Sequence, residues 1–119
     1  MTSDAGGIGI VEAIVQAGCV ETRYRRAGRG RPILLLIDAS PAERDRLFRV
    51  LAEEALVVEP VAPPPPAEWP QWLAGVVDGL GLDRPDLVVA GGWVMAAEAF
   101  LRGNPDRAGR VVAIGTIDL

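Results

Sequence analysis

Asp38 closes the apolar run "PILLLID", the place in this sequence where a lone carboxylate could act as acid, base or metal ligand. A residue ending a central strand faces the edge of an open α/β sheet where ligands collect. No partner carboxylate accompanies it, and general acid–base work or oxygen ligation of a metal asks for more than one group. A short polar residue at a strand-to-loop junction is the better account, with Ser40 serving as the helix cap. Cys19 is the single cysteine, and the chain contains no histidine. The thiol has no imidazole to activate it, so it reads as a small packing residue. Without histidine the usual neutral-pH base, every Ser-His or Cys-His pair and most zinc sites are excluded. Asp83 and Asp86 flank "RP" in "LDRPD", where turn chemistry explains them. No metal site and no cofactor site is expected.

Arginines gather at Arg23, Arg25, Arg26, Arg29 and Arg31. They read as a solvated hairpin edge, with a site for an anion or an acidic partner as the alternative. The net charge of −4 argues against tracking a nucleic-acid backbone. "GGIG" and "GRG" lack the spacing and strand-helix context of a dinucleotide fingerprint, and GxxxxGK[ST] is absent. The apolar stretches are strand-sized, well short of a membrane span. The start, "MTSDAGGIGI", does not resemble a signal peptide. With one cysteine and no internal disulfide, a reducing cytoplasm is the default location.

At 119 residues, 50% apolar and 24% charged, the chain fits one domain with a modest core. Residues 1–7 are small and polar and read as a flexible N-terminus, with residues 8–119 as the domain. "IVEAIVQAGCVETRYRRAG" reads as two strands joined near Ala17-Gly18, with Val20, Thr22 and Tyr24 sharing one face of the second. "PILLLID" reads as a central parallel strand covered on both faces. "SPAE" starts a helix, with Ser40 as cap, Pro41 in the first turn and Glu43 completing a capping box. Leu47, Phe48, Val50 and Leu51 supply the buried stripe of that helix, which runs through Glu54. "LVVEPV" is a short strand. "APPPPAEWP", residues 62–70, reads as a rigid extended loop, or as an exposed polyproline ligand. A helix is predicted from about Gln71 to Leu80, burying Trp72, Leu73, Val76 and Leu80, with Gly81 placed to end it. The strand "DLVVA" leads through two glycines into a helix from Trp93 to Arg102, and "GRVVAIG" is a last strand. Strand and helix alternate three times behind an N-terminal hairpin, which indicates an α/β sheet with helices on both faces.

With the order of elements in place, the chain resembles the N-terminal part of an α/β-hydrolase over roughly residues 8–116. "VETRYRRAGRGRPILLLID" resembles the second strand, the glycine-rich turn and the third strand that normally ends in His-Gly. "LVVEPVAPP" resembles the fourth strand and its loop. "WLAGVVDGLGLDRPDLVVAGGWVMAAEAFLRGNPDRAGRVVAIG" resembles, without a gap, the stretch from the helix before the nucleophile strand to the sixth strand. A response-regulator receiver domain is the competing resemblance. Its phosphoacceptor aspartate would fall at Ala90 or Gly91, and the hairpin has no place in it.

The α/β-hydrolase resemblance implies a truncated three-layer sandwich with a mostly parallel sheet of about six strands and an N-terminal hairpin. Its Gly-x-Ser-x-Gly elbow falls on Val89, Ala90, Gly91, Gly92 and Trp93, which leaves glycine at the nucleophile position. Sliding the motif by two residues puts Trp93 there, which is no more reactive. The His-Gly pair falls on Ile37 and Asp38, where a carboxylate would repel a developing oxyanion. The family's catalytic acid and histidine come from later in the chain. The expected role is therefore a noncatalytic interaction or structural subunit, as a homodimer or in a larger complex. Interface candidates are Val111, Val112 and Ile114 on an apolar edge, with Trp69, Trp72 or Trp93 as anchors. The alternatives are a hydrolase-like enzyme completed by another chain, with Asp38 as the residue to test, and a small-molecule binding protein with a residual pocket.

Overall fold

The computed structural model describes residues 9–18, 20–61 and 69–114. The readings of residues 1–7, of Cys19 and of most of the proline run lie outside these residues. The elements run β1 (Val11–Ala17), β2 (Val20–Ala27), β3 (Pro32–Leu36), α1 (Pro41–Ala52), β4 (Leu56–Pro60), α2 (Trp69–Leu80), β5 (Asp86–Ala90), α3 (Trp93–Gly103) and β6 (Val111–Ile114). The six strands form one sheet in the order β1-β2-β4-β3-β5-β6. β1 and β2 are an antiparallel hairpin, and β2 lies antiparallel to β4. β4, β3, β5 and β6 are mutually parallel. The fold is thus a mixed, mostly parallel sheet between two helical layers, and among the described residues the sheet does not close.

α1 covers one face and α2 with α3 cover the other. Leu35, Val57 and Val88 point to the α1 side with Phe48 and Ala52. Leu34, Leu36, Val58, Leu87 and Val89 point to the other, against Leu73, Val76, Ala97 and Phe100. This alternation is what the side-chain period of two dictates for a strand buried on both faces. Ser40 Oγ accepts the Glu43 amide at 3.2 Å, which makes it the cap that its position predicts.

Four details differ from the sequence reading. α1 stops at Ala52, and Val50 is exposed. Two residues from Phe48 is about 200° around a helix, so Val50 must face away from the sheet. α2 begins at Trp69 and takes Pro70 into its first turn, where a missing amide hydrogen costs no helical bond. On that helix Val77 is fully buried while Leu80 is only partly so.

Asp86 does more than shape a turn. Its carboxylate receives Arg31 Nε at 3.1 Å and the Arg110 amide at 2.8 Å, while the Leu87 amide bonds Arg110 O at 2.8 Å. The buried carboxylate therefore ties the start of β5 to the segments leading into β3 and β6.

Candidate functional site

β3 and β5 are neighbours, with Leu36 beside Val89 at the end of their shared register. One step on, β3 has passed into Ile37-Asp38, while β5 ends at Ala90 and turns at Gly91. Parallel pairing thereby sets Asp38 against Gly91 at the carboxyl edge of the sheet, the position where open α/β folds bind ligands.

Gly91 has φ +69°, in the left-handed region that glycine tolerates and a side chain resists. A β carbon added there would lie 2.6 Å from Asp38 Cβ and 3.2 Å from its Oδ2. The space a nucleophile would need is already filled. Gly92 follows as the cap of α3 and offers no side-chain hydrogen bond. The Asp38 carboxylate is exposed and has no hydrogen bond or ion pair among the described residues. The start of α3 favours negative charge nearby, but a carboxylate at that edge repels a developing oxyanion beside it.

Aromatic rings crowd the same edge. Trp93, the first residue of α3, stacks on Trp69, the first residue of α2, with centroids 4.3 Å apart and planes at 19°. Trp72 tilts against Trp93 at 5.8 Å and 38°. Trp72 is buried, and its Nε1 donates to Thr22 Oγ1 at 2.9 Å. The three tryptophans foreseen as possible anchors therefore form one cluster: Trp72 belongs to the core, and half-buried Trp69 and Trp93 extend it outward. The Thr22 bond was not foreseen. Its only trace in sequence is a threonine on the apolar face of β2.

Among the described residues β6 forms an edge of the sheet. Val111 and Val112 are 37% and 50% exposed, and Ile114 is half-buried. Val111 pairs with Leu87 and Val112 with Val88, so one valine faces each helical layer. Among the described residues no three His, Cys, Asp or Glu side chains converge as a metal-ligand set. No helix there is long and apolar enough to cross a membrane.

No family model matches the sequence, and no curated protein matches it. Solved structures do. Wild-type Cfl2 from Burkholderia cenocepacia superposes with a TM-score of 0.77 at 21% identity, over 89% of this chain and 41% of that one. The architecture is that of the α/β-hydrolases. A CIB-like hydrolase from Thermoplasma acidophilum gives a TM-score of 0.77 at 14% identity, over 91% of this chain and 63% of its own. A serine hydrolase from the polyaromatic-hydrocarbon-degrading bacterium Cycloclasticus zankles gives 0.77 at 20% identity, over 89% and 45%. The chain spans about half the length of these α/β-hydrolases, and at such identities the likeness is one of fold. The resemblance read from the elbow stretch and the competing receiver reading thus resolve in favour of an α/β-hydrolase-like half-domain.

Proposed function

We propose that this chain is a noncatalytic subunit that binds another protein, as a homodimer or within a larger complex. The observation that carries the reading is β6: an edge strand with valines exposed on both faces. An edge offers unpaired amide and carbonyl groups, and apolar side chains beside them favour burial by a partner strand. Val111, Val112 and Ile114 form the contact, and Trp69 with Trp93 provides a second, aromatic surface. Trp72 supports that surface from the core.

Gly91 supports the noncatalytic half of the reading. In the gapless register it holds the nucleophile position, and Asp38 occupies the volume beside it. Another chain could bring a histidine and an acid, yet it would find no hydroxyl or thiol at Gly91 to activate. Chemistry resting on Asp38 alone is the form of the enzyme reading that survives. In this proposal residues 8–119 act as one domain in the cytoplasm, in keeping with a single cysteine.

Light scattering on the purified chain is expected to give a mass above that of the monomer. Val112→Lys should restore the monomer with an unchanged circular-dichroism spectrum. A photo-crosslinker at Val112 distinguishes a second copy from a different protein in the cells of origin. A monomer at all concentrations that also forms no adduct through Val112 would sink the proposal. Hydrolysis of p-nitrophenyl acetate that disappears in Asp38→Asn would favour the enzyme reading.

A further inference from the structure

The arginine cluster on β2 is not absorbed by this reading, and its surroundings point to a ligand. Strand register lays Glu12, Arg25 and Glu59 side by side across β1, β2 and β4 on the α1 face. One row further, Ile14 stands beside Arg23, and the Val61 amide bonds Arg23 O at 2.8 Å. Pro41, Arg44 and Asp45 of α1 form the opposite wall. Between them lies a groove of about 820 Å³. That volume falls within the range of small-molecule sites.

The hydrogen-bonding groups of the groove are unequal. Glu59 receives Arg25 Nε at 2.7 Å on one oxygen and faces Arg44 at 3.5 Å with the other. Asp45 receives Arg25 at 2.9 Å and Arg49 at 2.8 Å, again one on each oxygen. Each of these carboxylate oxygens therefore already faces one guanidinium. Arg25 is further fixed by lying 4.0 Å over the Phe48 ring. On the donor side, Arg44 Nε is buried with no acceptor, and the exposed Arg23 guanidinium has no hydrogen bond or ion pair among the described residues. A buried N–H without a partner is destabilising, and an acceptor reaches it once the Arg44 side chain, 39% exposed, turns toward the groove. Arg44 flanks Glu59, and Arg23 is diagonal to it, so both donors can serve one group. Glu12, the remaining carboxylate, sits on β1 opposite Arg25 and diagonal to Arg23, two strands or roughly 10 Å from the β4 column.

The rest of the floor is apolar. Ile14 and Val61 are 56% and 63% exposed, and Pro41 lines the groove with them. We propose that this groove binds a small organic monoanion, with its carboxylate between Arg23 and Arg44 and its apolar body over Ile14 and Val61. A dianion is disfavoured because Glu12, Glu59 and Asp45 also line the groove, and a single carboxylate matches the exposed Arg23 guanidinium and the part-exposed Arg44.

Octanoate is a suitable probe, with octanol and acetate as its neutral and short-chain counterparts, titrated into the ¹⁵N-labelled chain. Octanoate should shift the Arg23, Arg44 and Val61 amides saturably, while octanol and acetate each bind at least ten-fold more weakly. Arg23→Gln alters an exposed side chain and should keep the fold while weakening octanoate by roughly ten-fold. Arg44→Gln should do the same, and Val61→Ser should weaken octanoate without affecting acetate. Equal binding of octanol and octanoate overturns the anion, and equal binding by parent and Arg23→Gln overturns the site. The outcome is independent of β6: Val112→Lys should leave octanoate binding unchanged, whatever its effect on association.

Discussion

Asp38 Cβ lies 2.6 Å from the point where a side chain on Gly91 would begin. This relationship joins two features that are separate in sequence: a strand that ends in a carboxylate, and a strand-to-helix turn made of glycine. Parallel pairing of β3 with β5 brings them together. The turn is closed by conformation, through φ +69°, and again by contact.

Gly91→Ala should therefore destabilise the chain by about 1–3 kcal/mol. Asp38→Gly removes the contacting β carbon but leaves the backbone conformation, so it should return only part of that loss. Denaturation of both single variants and the double variant measures the coupling. Additivity within about 0.5 kcal/mol would mean that the contact does not limit the turn. Asp38→Ala is a poor substitute, because it retains the atom that collides.

Gly75 and Gly79 lie one turn apart on α2, where the helix crosses β1. A β carbon on Gly75 would meet Ala17 C and Gly18 N at 2.8 Å, and one on Gly79 would meet Val15 Cγ2 at 2.7 Å. Gly75→Ala faces backbone that cannot swing aside. It should cost about 1–3 kcal/mol in spite of the helix propensity it gains. Gly103→Ala, with open space around it, is the control and should be neutral or slightly stabilising. Equal effects at the two positions in urea denaturation would remove close approach as the reason for Gly75.

The contrast between these glycines and the strands shows how much was legible in the sequence. Unbroken apolar runs such as "ILLL" and "LVV", short and bounded by turn and helix-start residues, identify strands buried on both faces. Ser40 and Pro41 mark a helix start through groups that act locally. Elements and their order follow from signals of this kind. Gly75 and Gly79 carry no such signal, since what excludes a side chain there is the hairpin some sixty residues earlier. Asp86 looks like a turn former because its partners, Arg31 and Arg110, come from distant segments. The elbow stretch was legible as a sequence likeness, but its closure by Asp38 depends on strand register. The groove beside α1 was visible only as clustered arginines, with no indication of which would pair.

Thr22 holds the tryptophan cluster to the sheet by accepting Trp72 Nε1 at 2.9 Å. Thr22→Val keeps the shape and removes the acceptor, so a buried indole N–H is left without a partner. The expected loss is about 1–3 kcal/mol, and Thr22→Ser should recover much of it. The tryptophan emission maximum provides a second readout. It should move to longer wavelength in the valine variant if Trp72 gains water, and stay unchanged in the serine variant. Equal stability of Thr22→Val and the parent chain would show that the hydroxyl is not needed to seat the ring.

Asp86 supplies a pH dependence whose sign can be worked out. Burial by itself raises its carboxyl, but the Arg110 amide and the Arg31 guanidinium outweigh burial and hold it below the ordinary carboxylate value. In the unfolded chain it returns to about 3.9. The folded state thus binds this proton less readily than the unfolded state. Its contribution to stability is complete above the unfolded value and is lost as pH falls through the folded one, below about pH 4. Asp45, held down by hydrogen bonds from Arg49 and Arg25, titrates in the same direction and adds to the same acid limb. Asp86→Asn keeps an acceptor for the Arg110 amide and removes the charge. Its urea midpoint should be lower than that of the parent at neutral pH, and its decline between about pH 5 and pH 3 should be shallower but not absent, because Asp45 remains. Parallel declines in parent and variant would mean that the Asp86 proton is not linked to folding, and the tie between β3, β5 and β6 would then rest on the backbone bonds alone.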